Sequence, residues 1–126
     1  MLRRSHFVRF VAGLALGAAG LPALAQSDYP NKPVKVLTGF PPGQATDVLG
    51  RSVAQKLNEQ LGQQFFVDNK PGAAGTIAAC VAMMPAADGY TLLLTSSGPL
   101  AVNPGLYSKL PYDPVKDFVP VTLVAG

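Results

Sequence analysis

The stretch that decides the fold reads Val34-Lys35-Val36-Leu37-Thr38-Gly39-Phe40-Pro41-Pro42-Gly43-Gln44-Ala45-Thr46-Asp47. Its first half, through Phe40, is apolar and β-branched and predicts a strand, which must end at the two prolines and the glycine. From Thr46 onward the apolar residues recur at every fourth position, and this spacing predicts an apolar stripe on a helix that ends at Gly62. The stripe comprises Leu49, Val53, Leu57 and Leu61, with Ala54 beside them.

The same order of elements returns further along the chain. Residues 65–67 predict a short strand, residues 70–75 a loop rich in proline and glycine, and residues 76–84 a helix. Residues 90–95 predict a strand that is covered on both faces, because its leucines do not alternate with polar residues. A short helical piece around residues 100–106 and a fourth strand at residues 118–124 follow. Strands that alternate with helices predict an α/β fold with a parallel sheet.

The first 25 residues have the features of a signal peptide that is removed on export. Arg3, Arg4 and Arg9 precede an apolar segment, and Ala23-Leu24-Ala25 supplies a cleavage site. The apolar segment has about half of the roughly 20 residues that a membrane-spanning helix needs, so we expect no stable membrane anchor. The mature chain is expected to begin at Gln26, in the periplasm.

Removal of that segment changes both the charge and the chemistry of the chain. The sequence has ten Lys and Arg, seven Asp and Glu, and one His, and the segment contains three of the arginines together with His6. The remaining charges balance, which argues against a nucleic-acid partner. A chain without histidine cannot use a Ser-His-Asp mechanism or offer imidazole to zinc, and Cys80 alone makes neither a disulfide nor a metal site. We therefore expect no metal, no cofactor and no enzyme of these classes.

The loop after the first predicted strand is the first candidate ligand site, because open α/β sheets bind ligands beyond the carboxyl ends of their strands. It leads into a helix N-terminus, whose free N–H groups and dipole favour a carboxylate or a phosphate. Two alternatives stay open for Thr46 and Asp47, which either only cap the helix or also contact a ligand. The spacing excludes a P-loop. The candidate residues are Phe40, Gly43, Gln44, Ala45, Thr46 and Asp47.

The loop after the third predicted strand is the second candidate, since it brings three hydroxyls and several backbone N–H groups to the end of a buried strand. Its residues are Thr95, Ser96, Ser97 and Gly98. A structural turn without a ligand is the alternative. A nucleophilic serine is disfavoured because the loop has neither the G-x-S-x-G sequence nor a histidine base.

Two other regions are assigned structural roles. The glycine-rich residues 69–76 lack the spacing of a dinucleotide-binding loop and predict a tight turn, with Thr76 as the cap of the next helix. Asn103, Tyr107 and Tyr112 either line a cleft or pack in turns and on the surface.

Several motifs, taken in their order and spacing, resemble the substrate-binding proteins of tripartite tricarboxylate transporters, the Bug family, over residues 29–124. They are Tyr29-Pro30-Asn31-Lys32-Pro33, residues 40–47, Asn69-Lys70-Pro71-Gly72, residues 88–92, Asn103-Pro104 and residues 110–118. The chain departs from the family pattern at Gln44 and Ala74, where glycine is common. Met83-Met84 likewise replaces a more polar stretch.

The resemblance implies a two-domain periplasmic binding protein of the type II kind that closes on a small carboxylate. It implies that both candidate loops grip the carboxylate through backbone N–H groups, hydroxyls and ordered water. The partners it implies are a membrane transporter or a sensor. We expect a monomer.

The length of the chain affects what it does alone. The family needs considerably more chain than residues 26–126 to complete both domains, so these residues are expected to form the N-terminal part of the first domain only. We expect marginal stability and poor ligand affinity from them in isolation. The alternatives to carboxylate capture are a nonfunctional truncated product of the same family and a hydrolase that uses Ser96 or Ser97.

Overall fold

Three strands alternate with helices along residues 29–125, the part of the chain that the computed structural model describes. The strands are β1 (Val34–Thr38), β2 (Phe65–Asn69) and β3 (Thr91–Leu94). The helices are α1 (Ala45–Leu61), α2 (Thr76–Met83) and α3 (Asn103–Leu106). A 3-10 turn, Ala73–Gly75, precedes α2, and a π-helical turn, Gly98–Val102, precedes α3. The predicted signal peptide, residues 1–25, lies outside the described residues.

The strands form one parallel sheet in the order β2-β1-β3. β1 is central, so that Val36 lies opposite Val67 of β2 and Leu92 of β3. Parallel neighbours require a crossover connection, and α1 and α2 lie in the two crossovers. The predicted α/β fold, with a parallel sheet flanked by helices, is confirmed.

α1 packs on one face of the sheet through its small residues. Val34 and Val36 form a core cluster with Ala54 of α1 and Phe65 of β2. Gly50 is also buried, and a Cβ atom at this position would lie 3.0 Å from a methyl carbon of Leu94. The absence of a side chain at Gly50 therefore lets α1 approach the sheet closely.

The apolar stripe predicted on α1 is only partly correct. Ala54 is buried and Leu57 packs against the core cluster, but Leu49 is 38% exposed and Leu61 is 44% exposed. Close approach at Gly50 and Ala54 turns these two leucines toward the edge of the interface. The C-terminal stop is confirmed, because Gly62 adopts φ +67° and its N–H bonds to the carbonyl of Asn58.

The other face of the sheet is covered by α2, which contacts both β1 and β3. Side chains alternate between the faces of a strand, so Leu37 points away from the α1 side. Leu37 is fully buried, as are Ala78 and Ala79 of α2. The helices therefore lie on opposite faces of the sheet.

One prediction about the later part of the chain is wrong, and another is only partly correct. Residues 118–124 do not form a fourth strand: Val119, Val121 and Leu123 are each more than 80% exposed. A strand needs a neighbour for its backbone groups, and these residues pair with none in the described chain. β3 is contacted on both faces, by α2 on one side and by the core cluster of α1 on the other, but its residues are only half-buried because it lies at the edge of the sheet. Within residues 29–125, no helix combines the length and apolarity needed to cross a bilayer.

Candidate functional site

The strand order creates a switch point between β1 and β3. From β1 the chain crosses to β2 on one side, and from β2 it returns to β3 on the other side of β1. In sheets of this kind the ligand crevice lies beyond the carboxyl ends of the strands at the switch point. Thr38 and Leu94 are register partners at these ends, so the two candidate loops that follow them border the crevice.

The first candidate loop is a tight turn that leads directly into α1. The N–H of Gln44 donates to the carbonyl of Pro41 at 3.3 Å, and Gly43 adopts φ +86°. A proline followed by a glycine with positive φ is typical of the centre of a type II turn. Phe40 is half-buried, whereas Gly43, Gln44 and Ala45 are exposed. The backbone of Gly43 and Ala45 is thus accessible at the surface, beside the exposed side chain of Gln44.

The N-terminus of α1 has no side-chain cap. Gln44 occupies the cap position in extended backbone, and its side chain makes no capping hydrogen bond. The N–H groups of Ala45, Thr46 and Asp47 have no acceptor among the described residues, because the first turn of a helix has no preceding helical carbonyls. The dipole of this 17-residue helix adds partial positive charge at the same end. These N–H groups can donate hydrogen bonds to an anion and so bind it.

Thr46 is the second residue of α1 and does not cap the helix. Its hydroxyl oxygen is buried and has no hydrogen-bond partner within the described part of the chain. An unpartnered buried hydroxyl destabilises the folded state by about 1–3 kcal/mol. The Thr46 hydroxyl therefore keeps its hydrogen-bonding capacity for a group that does not come from residues 29–125.

The carboxylate of Asp47 is engaged on all sides by the protein itself, and its side chain is only 4% exposed. One oxygen accepts the N–H of Gly43 at 2.9 Å, and the other accepts the side-chain amide of Asn69 at 2.9 Å. Nε of Arg51 lies 3.1 Å from both oxygens. Asp47 thus ties the loop to the helix and to β2, and Arg51 balances the negative charge that would otherwise repel an anion.

These partners hold the pKa of the Asp47 carboxyl at about 2, below its ordinary 3.8. The hydrogen bond from Arg51 is the largest cause, followed by the N–H of Gly43 and the amide of Asn69. The unfolded chain binds a proton at this group at a higher pH than the folded chain does. Asp47 therefore contributes stability above about pH 4, and this contribution is lost as the pH falls toward 2.

Replacing Arg51 by methionine is expected to lower the stability of the protein at neutral pH and to make that stability depend less on pH between about 5 and 2. Loss of the guanidinium raises the folded-state pKa of Asp47, so the stability that this carboxylate contributes becomes smaller. The measurement is the urea midpoint of both proteins between pH 2.5 and 7 at low ionic strength. Lys56→Met is the matched control, because Lys56 lies on the same helix but pairs with Glu59. Equal pH profiles for the two variants would contradict the assignment.

The second candidate loop starts at the end of β3. Ser96 and Ser97 are exposed, and Gly98 begins the π-helical turn. The hydroxyl oxygen of Thr95 is buried and, like that of Thr46, lacks a partner among the described residues. Each candidate loop therefore contains one buried hydroxyl without a partner among the described residues, and Thr38 at the end of β1 carries another. Contact of the ten candidate residues with a ligand stays a prediction.

The loops that follow the three strands meet at two glycines and a proline. A Cβ atom on Gly39, after β1, would lie 2.7 Å from Cα of Gly75, after β2. A Cβ atom on Gly75 would lie 2.5 Å from Cγ of Pro99, after β3. The loop between β2 and α2, within the glycine-rich residues 69–76 and here called the third loop, is predicted from the sequence to be a structural turn. It packs against both candidate loops and sets the distance between them.

The third loop also contains left-handed backbone at residues other than glycine. Ala73 and Ala74 have φ of +47° and +51°. Alanine in this region costs about 1–2 kcal/mol per residue relative to right-handed backbone. Asn103 supports the loop, because its buried amide donates to the carbonyl of Ala74 and to the hydroxyl of Thr76 at 3.3 Å each. Asn103 is therefore buried among the described residues and packs against this loop.

Two predicted roles in this region need correction or refinement. Thr76 is not the cap of α2: Gly75 takes that position with φ +85°. Tyr112 is buried, and its hydroxyl donates to the carbonyl of Pro99 at 2.5 Å, so it supports the turn after β3. Tyr107 is half-exposed.

Asn69 is a residue of the site region that sequence reasoning missed. The predicted strand stops at Val67, whereas β2 continues to Asn69, which places this amide at the carboxyl end of the sheet. An amide directly after a strand would have been the pattern to notice.

Within the described chain, no cluster of three or more His, Cys, Asp or Glu residues could hold a metal ion.

Comparison with known proteins places the chain in a family. The sequence model of the tripartite tricarboxylate transporter family receptors (TctC) matches residues 49–126. Protein BugT of Bordetella pertussis (strain Tohama I) is 44% identical over 116 residues, which cover 90% of this chain and 36% of BugT. The chain spans about a third of the length of the curated relatives it matches.

Solved structures agree in sequence and in fold. MatC (Rpa3494) from Rhodopseudomonas palustris, with bound malate, is 36% identical with a TM-score of 0.72, over 76% of this chain and 33% of MatC. Rpa4515 of R. palustris, with adipate, is 38% identical with a TM-score of 0.66, over 69% of this chain and 29% of Rpa4515. Solved periplasmic binding proteins are among the similar structures, in agreement with the predicted fold class. Because the family model matches more than half of the sequence, the chain belongs to the tripartite tricarboxylate transporter receptor family, whose members are solute-binding proteins and not enzymes.

Proposed function

We propose that this chain supplies the carboxylate-gripping loops of a periplasmic solute-binding protein that delivers a small carboxylate to a membrane transporter. The observation that carries the proposal is the uncapped N-terminus of α1 at the switch point between β1 and β3. There the N–H groups of Ala45, Thr46 and Asp47 are free to bind an anion.

The chemistry of the crevice favours a carboxylate held by neutral donors. Backbone N–H groups and the hydroxyls of Thr46 and Thr95 can donate to carboxylate oxygens, and hydrogen bonds to a charged acceptor are stronger than neutral ones. The nearby Arg51 is already bonded to Asp47, so its charge is balanced inside the protein. Recognition by fixed N–H and hydroxyl groups selects the carboxylate by geometry.

The ligands of the similar structures support a dicarboxylate. Malate and adipate both carry a terminal carboxylate but differ in length and in the malate hydroxyl. One carboxylate can be held by a common pair of loops, while the remainder of the solute contacts other parts of the whole protein. We propose that residues 26–126 belong to the first domain and supply the common pair, after removal of residues 1–25 on export. The description of the family as transporter receptors supports a membrane transporter as the partner.

The proposal is tested by ligand-dependent stability of the complete protein. Malate or adipate at about 100 times its Kd is expected to raise the free energy of unfolding by about 2.7 kcal/mol. The neutral diamides of the same acids should give no shift, because they lack the carboxylate. Absence of stabilisation by every carboxylate in a panel of mono-, di- and tricarboxylates would overturn the proposal.

Two near-isosteric variants locate the site. Thr46→Val and Thr95→Val remove buried hydroxyls that have no partner among residues 29–125, so the ligand-free protein should be as stable as the wild type or slightly more stable. Each variant is expected to weaken carboxylate binding about tenfold, as measured by calorimetry. Thr122→Val is the control, because Thr122 is exposed and distant from both loops in sequence. Unchanged affinity in both variants would exclude these hydroxyls from the site.

A further inference from the structure

We infer that Asn69 is a positioning residue for carboxylate binding, which holds the first candidate loop in its binding conformation without touching the solute. The inference rests on the proposed function, because it assumes that this loop grips the carboxylate. Neither the family comparison nor the sequence patterns point to Asn69 in this role.

One amide group links Asn69 to both sides of the loop. Its nitrogen donates to the carbonyl of Phe40 at 3.0 Å and to the carboxylate of Asp47 at 2.9 Å. Asp47 in turn accepts the N–H of Gly43 at 2.9 Å. The backbone is thus held at Phe40 by Asn69 and at Gly43 by Asp47, with the proline turn between them.

The anchor of this network is the sheet. Asn69 is the last residue of β2 and lies opposite Thr38 of β1, and the N–H of Lys70 bonds to the carbonyl of Thr38 at 2.8 Å. The oxygen of the Asn69 amide is 3.4 Å from Arg51 Nη2, which fixes which end of the amide faces the loop. Asn69 therefore transmits the position of the strand to the loop.

The chemistry of the position calls for a side chain that donates two hydrogen bonds. A carbonyl and a carboxylate are both acceptors, so the residue between them must offer two N–H bonds, which an asparagine amide provides. Aspartate at neutral pH offers none and adds a negative charge beside Asp47. A loop that is already ordered before binding loses less conformational entropy when the solute binds. Loss of the two hydrogen bonds therefore weakens binding even though no contact with the solute is lost.

The first test compares two asparagine variants of the complete protein. Asn69→Ala is expected to raise the Kd for malate or adipate about tenfold and to speed hydrogen exchange of the Gly43 amide in the ligand-free protein. Asn58→Ala is the matched control, because the Asn58 side chain accepts the N–H of Phe65 at the opposite end of the same helix and strand. The control should lose stability but keep its affinity for the solute. Equal losses of affinity in both variants, or an Asn69→Ala affinity within twofold of the wild type, would overturn the inference.

The second test uses a pH profile that general destabilisation would not produce. In Asn69→Asp the new carboxylate lies beside Asp47, and such a pair retains a proton to a higher pH than an isolated group. The other charged groups nearby are Arg51 from α1 and, on the same strand and its end, Asp68 and Lys70, which pair with each other at 3.2 Å. Once it is protonated, the introduced carboxyl group can donate its single O–H to Asp47 but not also to the Phe40 carbonyl, so the variant should regain part of the lost affinity as the pH falls from 8 to 4.5.

The readout is the ratio of variant to wild-type Kd at each pH, which cancels the ionisation of the solute. A ratio that does not change with pH would contradict the positioning role. If the wild type binds none of the carboxylates but Asn69→Ala still speeds hydrogen exchange at Gly43, the proposed function is wrong. The conclusion that Asn69 fixes the conformation of the loop would still be supported. If the wild type binds and Asn69→Ala changes neither affinity nor exchange, the positioning role fails alone.

Discussion

Replacing Gly75 by alanine is expected to lower the free energy of unfolding by about 2–4 kcal/mol, through two additive effects. Gly75 adopts φ +85°, where alanine is disfavoured, and the added Cβ would lie 2.5 Å from Cγ of Pro99. Real Cβ atoms do not approach other atoms so closely, so the third loop or the turn after β3 must move. The measurement is urea unfolding of the complete protein.

Two other glycines separate the effects. Gly62 has φ +67° but nothing within 4 Å of its Cβ position, so Gly62→Ala should cost only about 1 kcal/mol, from the backbone. At Gly39 the added Cβ would lie 2.7 Å from Cα of Gly75, where a side-chain movement cannot relieve the clash. The loss of unfolding free energy in Gly39→Ala should therefore be closer to that of Gly75→Ala than to that of Gly62→Ala. The packing of the three loops would be contradicted if all three variants cost the same.

Leu37→Ala is expected to destabilise the protein by about 3 kcal/mol, within the range of about 2–5 kcal/mol for buried leucines. Leu37 is fully buried in the central strand, with a neighbouring strand on each side. Removal of its side chain leaves a cavity that the sheet, fixed by backbone hydrogen bonds, cannot easily close. Thermal or urea unfolding measures the loss.

Leu49→Ala is the informative comparison, since the apolar spacing of α1 predicts Leu49 in the core. With 38% of its surface exposed, Leu49 should contribute clearly less than Leu37, under about 1.5 kcal/mol. Equal losses for the two leucines would mean that α1 sits on the sheet with the face that the spacing predicts. That result would contradict the rotation of α1 that brings Gly50 and Ala54 against the sheet.

The rotation of α1 illustrates what sequence periodicity can establish. Spacing of four residues correctly predicted a helix, because apolar residues must share a face. The spacing misplaced the centre of that face. The close packing of α1 on the sheet depends on Gly50, and a pattern of apolar side chains cannot include a residue that has no side chain. The same limit applies to residues 118–124, where β-branched residues indicated a strand. A strand also requires a partner, and local sequence does not reveal one.

The positions of the two candidate loops in the fold could be predicted from the sequence, but the contacts between their atoms could not. Prolines and glycines after strands located both loops, and the parallel topology follows from the alternation of strands and helices. The partners of Asp47 could not be predicted, because Asn69 lies 22 residues away and meets Asp47 only once β2 lies beside β1. The cap at Gln44 was missed since a glutamine is not a preferred capping residue.

The network around Asp47 has a consequence for how the solute is sensed. The partners of Asp47 hold the pKa of its carboxyl at about 2, the groups proposed to bind the carboxylate are N–H and hydroxyl donors, and the described residues contain no histidine. Under the proposed function, nothing identified in these two loops gains or loses a proton between pH 5 and 8. The dependence of uptake on external pH would then reflect the ionisation of the organic acid itself. The affinity of the receptor for the ionised form of the acid would stay constant over this pH range.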